Sequence, residues 1–111
     1  MERPEEQIAK TGVGRQIIVR PEAETEVQQA FDWYEEQSEG LGFEFLRAIE
    51  ACLSGVTRNP FAYTVVKVPN VRRALVRRFP YALFYLIDDQ AIVVIAVFNV
   101  KRMPIDWTKR V

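Results

Sequence analysis

Two neighbouring runs near the C-terminal end, "YALFYLI" (Tyr81–Ile87) and "AIVVIAVF" (Ala91–Phe98), set the tightest limit on how this chain folds. Successive side chains of a strand point to opposite faces. Yet Tyr81, Leu83, Tyr85 and Ile87 on one side, and Ala82, Phe84 and Leu86 on the other, are all apolar. The second run is apolar on both sides as well. Only the turn "DDQ" separates them, and strands joined so tightly run antiparallel. Both are therefore strands of a sheet whose two faces need cover. Arg72–Phe79 supplies a third strand, with Pro80 confined to its end or to a turn.

The cover for one face lies upstream. Ala23, Val27, Ala30, Phe31 and Tyr34 recur at spacings of three and four, a helical stripe that Pro21 opens and Gly40 stops. Its other side carries Glu22, Glu24, Glu26, Asp32, Glu35, Glu36 and Glu39. A second stripe, Phe45, Leu46, Ile49, Cys52, Leu53 and Val56, is closed by Asn59-Pro60. The link "EGLG" is short enough to make the pair an antiparallel hairpin. Ahead of it, "RQIIVR" is a β-branched run that reads as a first strand. The expected fold class is α+β: an N-terminal strand, a two-helix hairpin, then a three-stranded antiparallel sheet. One hairpin covers one face, so the Tyr81, Tyr85 side or its opposite is expected to stay open for a partner, the alternative being that strong twist or the C-terminal tail closes it. Tyr81, Tyr85, Arg72 and Arg78 are the partner-binding candidates. Residues 1–15, polar with Pro and Gly, read as a mobile leader, and 16–111 as one domain. At 111 residues the chain is long enough for a single core without staples.

Composition removes most chemistry. There is no histidine, which excludes His metal sites, Ser-His and Cys-His pairs, and the side chain best suited to proton transfer near neutral pH. The lone Cys52 permits no intramolecular disulfide and suits a reducing compartment, so the cytoplasm is the expected location. "GVG" and "GLG" lack the strand-then-helix setting of a phosphate loop. No metal and no cofactor is expected. The Ala91–Phe98 run is well short of the ~20 residues of a membrane-spanning helix, and "MERPEEQIAK" holds no apolar signal core.

What remains is cationic. Net charge is zero, but residues 1–57 hold five basic against twelve acidic side chains, and residues 58–111 hold ten against three. Arg72, Arg73, Arg77 and Arg78 border the apolar run, and "NVKRMPIDWTKR" follows the last strand. Alternation through a strand would put Arg73 and Arg77 on one face and Arg72 and Arg78 on the other. If the last strand ends near the first turn of the meander, Lys101 and Arg102 join one of these pairs in a surface suited to phosphate or carboxylate. The competing reading is a set of solvated, edge-protecting charges. The target-binding candidates are Arg73, Arg77, Arg102, Lys101, Trp107 and Asn99.

The order of elements, with "FDWYEEQSEGLGFEFLRAI", "NPFAY", "VRRALVRRFPYALFYLI" and "VIAVFNVKRMPIDW", resembles the RelE/ParE superfamily of type II toxins over roughly residues 17–110. The resemblance implies a cognate antitoxin as partner. It also implies one of two targets: DNA gyrase for ParE-like members, or the ribosome and its messenger RNA for RelE-like endoribonucleases. Arg73 and Arg102 match basic positions of the nuclease branch. Ala82 stands where that branch has an arginine, Leu75 where it has a lysine, Trp107 near its catalytic tyrosine, and Asn99 where many relatives have histidine. A general acid and a general base are each worth roughly 10² to 10⁴ in rate, and these departures remove them. The ParE-like reading is therefore favoured, with a ribonuclease of reduced site, or an inactive member kept for antitoxin binding, as the alternatives.

Overall fold

The computed structural model describes residues 15–67 and 70–102. Strand β1 (Gln16–Val19) leads into helix α1 (Pro21–Gln37), and helix α2 (Leu41–Arg58) runs back beside it. A 3₁₀ turn (Pro60–Ala62) then opens strands β2 (Thr64–Lys67), β3 (Val71–Leu75), β4 (Tyr81–Ile87) and β5 (Ala91–Asn99). The sheet order is β1-β5-β4-β3-β2. β2 to β5 form an antiparallel meander, and β1 pairs parallel with β5 through Ile17 opposite Ile92 and Ile18 opposite Val93. The α+β class and the hairpin are as expected. The sheet has five mixed strands because β2 is added at one edge, and β3 stops at Leu75 rather than continuing to Phe79.

Local chemistry sets the hairpin. Pro21 sits in the first turn of α1, with Glu22 and Glu24 beside the positive end of the helix dipole. Gly40 adopts φ 89°, a left-handed conformation open to glycine. The Glu35 carboxylate then reaches across the turn, accepting from the Gly42 amide at 2.7 Å and the Gly40 amide at 3.1 Å, so α1 caps the start of α2. At Gly42 the helices touch so closely that a Cβ would lie 2.8 Å from the Phe31 carbonyl oxygen.

The expectation of an open sheet face is corrected. Tyr81 and Tyr85 face the helices and are buried, Tyr85 completely, in a core with Ala23, Ala30, Tyr34, Phe45, Ile49 and Val56. The opposite face is buried too: Val71, Ala82, Phe84, Ala91, Val93, Ile95 and Ala96 form a second cluster, with Val66, Leu86 and Phe98 against it. Within this cluster Phe98 stacks on Phe84 with ring centroids 5.1 Å apart. A bulge also intervenes, since Phe84 pairs with Ala96 and Tyr85 with Val94, leaving Ile95 as an extra residue on β5. Ile95 and Ala96 consequently share the second face, and Val97 returns to the helix side.

Candidate target-binding surface

Two chain segments meet at one end of the sheet. The β3–β4 loop breaks from the strand after Leu75: Val76 donates to the Tyr81 carbonyl, and Arg78 takes φ 72°, unusual for a side chain of its size. The turn after β5 sits beside it, because Asn99 pairs with Tyr81 and the Val100 amide donates to Pro80 O at 2.8 Å. The Asn99 side-chain oxygen accepts from the Lys101 amide at 2.8 Å, and the Arg102 amide donates to Asn99 O at 3.3 Å, fixing this turn. Arg77, Arg78, Lys101 and Arg102 are thus exposed on neighbouring segments. Arg78 forms an ion pair with Glu44 at 2.9 Å and lies over the Phe79 ring. Arg77, Lys101 and Arg102 have no carboxylate partner among the described residues.

The surface stands on an aromatic platform. Tyr34, Phe45, Phe79 and Tyr81 contact one another with ring centroids 5.0–6.2 Å apart. Burial raises the Tyr34 hydroxyl above its usual pKa, Tyr81 adds to this, and the nearby Arg102 guanidinium opposes it. Two cavities flank the platform. One, of about 490 Å³, lies between α1 and the end of β5 and is lined by Glu26, Gln29, Trp33, Phe98, Asn99 and Arg102. The other, of about 500 Å³, lies between α2 and the end of β3 and is lined by Cys52, Arg58, Tyr63, Leu75 and Arg77. Burial pushes the Cys52 thiol up to about 11, and its sulfur lies 3.7 Å from the Leu75 carbonyl, so it is no thiolate nucleophile.

The remaining sequence candidates separate. Arg73 lies on the second face opposite Phe84, away from Arg77, because the alternation expected to unite them ends with the strand at Leu75. Its Nε is shielded and has no acceptor. Arg72 points toward the helix side and donates to the carbonyls of Phe61 and Tyr63 at 3.0 and 2.6 Å. Tyr81 and Tyr85 are core residues, and Tyr85 donates to Pro60 O at 2.7 Å. Trp107 lies outside the described residues, as do residues 1–14 of the expected leader. Gln29 and Trp33 were missed, although Trp33 stands off the apolar stripe of α1 and is 48% exposed. Among the described residues no group of three or more His, Cys, Asp or Glu side chains is placed to hold a metal, and no helix is long and apolar enough to cross a membrane.

A helical hairpin laid on one face of such a meander is the fold that the RelE/ParE resemblance implies. Residues 17–104 match the family model of the ParE toxin of the type II toxin–antitoxin system parDE, and the chain belongs to that family. Among solved structures, a chain from the chromosomal ParDE system of P. aeruginosa shares the fold with a TM-score of 0.68 at 16% identity, covering 76% of this chain and 94% of that one. No curated protein matches the chain.

Proposed function

We propose that the chain acts as a toxin by binding rather than by cutting: it inhibits DNA gyrase in the cytoplasm, arrests growth, serves plasmid stabilisation, and is neutralised by a cognate antitoxin. The observation that carries this reading is the basic end itself. Arg77 on the β3–β4 loop and Lys101 and Arg102 on the adjoining turn are exposed with no carboxylate partner among the described residues, and neither Tyr34 nor Cys52 offers proton exchange near neutral pH. The chain has no histidine, Tyr34 is raised by burial, and Cys52 is held near 11. Such a site attracts and grips an anionic surface without supplying an acid and a base. With both sheet faces closed, the antitoxin is left the exposed apolar side chains, among them Leu75, Phe61 and Phe43, and the cleft between α1 and α2.

The test is to induce the chain without antitoxin, assay supercoiling by purified gyrase, and map messenger cleavage on ribosomes in parallel. Supercoiling should fall with RNA intact. Codon-positioned cuts that vanish in Arg102→Ala, with supercoiling untouched, would restore the ribonuclease reading.

A further inference from the structure

Glu26, Gln29 and Trp33 follow one another at spacings of three and four, so α1 presents them in line toward the end of β5. There they meet Phe98, Asn99 and Arg102 around the cavity of about 490 Å³, a volume within the usual range for small-ligand sites. Its parts are held in place. The Trp33 indole is set by an edge-to-face contact with Tyr34, centroids 5.0 Å apart at 82°. Phe98 is set by its stack on Phe84. Glu26 Oε1 accepts from the Val97 amide at 2.9 Å, which ties α1 to β5 just past the bulge. Because the Asn99 oxygen already accepts from Lys101, its amide NH2 is the part left to donate.

Three kinds of recognition therefore converge on one space. Trp33 offers an exposed aromatic face, Gln29 and Asn99 offer amides able to read the edge of a ring, and Arg102 offers a cation with no carboxylate partner among the described residues. A ligand using all three is a planar heteroaromatic ring joined to an anion. We propose that this cavity binds a nucleotide unit, its base against Trp33 and its phosphate at Arg102. Base stacking on aromatics and arginine contacts to phosphate are the general means by which proteins hold such units. The unit comes either free or as part of a single strand. The inference does not rest on gyrase being the target.

The experiment uses the full chain carrying Trp107→Phe, which leaves Trp33 as its only tryptophan. Its fluorescence is followed on titration with AMP, UMP and a tetranucleotide, with ribose 5-phosphate as a base-free competitor. Saturable quenching should appear, weakened by about tenfold or more in Arg102→Ala, as expected for loss of the phosphate contact. A strong preference for the tetranucleotide assigns the strand, and equal affinities assign the free nucleotide. Absence of saturation with every probe overturns the proposal. So does unchanged affinity in Arg102→Ala, or competition by ribose 5-phosphate as effective as that of AMP, which would reduce the site to simple charge attraction. A chain that inhibits gyrase yet binds no nucleotide overturns this inference alone.

Discussion

The two ends of the sheet use the same residue type for opposite purposes. At the end where β4 stops and β5 begins, the turn after α2 leaves several carbonyls to be satisfied, and each finds a donor. Tyr85 donates to Pro60 O, and Arg72 donates to Phe61 O and Tyr63 O. Arg15 reaches Asp88 O, and its guanidinium and that of Arg72 both lie over the Phe61 ring, 5.4 and 5.3 Å from its centroid. At the far end, the β3–β4 loop and the turn after β5 bond to each other through the backbone. Of their basic side chains Arg78 pairs with Glu44, while Arg77, Lys101 and Arg102 project with no such acceptor among the described residues. An arginine beside unpaired carbonyls is a brace, whereas Arg77 and Arg102 stand on segments whose backbones already bond to each other.

This contrast can be broken from either side. The largest effect belongs to the platform under the open end: Phe45→Ala removes a fully buried ring and should cost about 3–5 kcal/mol in urea unfolding. A loss below about 1 kcal/mol would mean that the aromatic cluster does not support the loop. Next comes the brace. Arg72→Ala should cost about 1.5–3 kcal/mol through its charged hydrogen bonds, whereas Arg77→Ala should stay within about 0.5 kcal/mol. Equal losses would erase the distinction between the ends.

The smallest effect is a slope against pH. The Cys52 thiol sits at about 11 in the folded protein against 9.0 for the free group, so the unfolded chain releases its proton first. The resulting stabilisation is complete below pH 9 and is lost as pH rises toward 11. In Cys52→Ala the melting temperature should fall less steeply across that window. An unchanged slope would contradict the burial of the thiol. Tyr85 is also raised, chiefly by burial, with Arg72 opposing it, so Tyr85→Phe should flatten the decline above the ordinary tyrosine value of about 10.

Much of this was legible in the sequence, for physical reasons that also mark the limit. Stripes such as Phe45, Ile49 and Val56 repeat with the helix and declare a buried face. The meander followed from tight turns, and with it the adjacency of the turn after β5 to the β3–β4 loop. β2 stayed hidden because its four residues are mostly exposed and carry no buried alternation. The bulge at Ile95 leaves no trace in a run where every residue is apolar. Arg77 and Arg78 were assigned faces by extending an alternation that ends at Leu75, and neither the positive φ of Arg78 nor its bond to Glu44 has a local signal. Burial of the second face is a tertiary property that no local pattern in the sequence declares.

The measurement that bears most directly on this account is a paired one on the triple variant Arg77→Ala, Lys101→Ala, Arg102→Ala. Unfolding free energy and gyrase inhibition are determined on the same preparation. Stability should stay within about 1 kcal/mol of the parent, as for surface changes, while inhibition is lost. Inhibition retained in a folded triple variant would contradict this account.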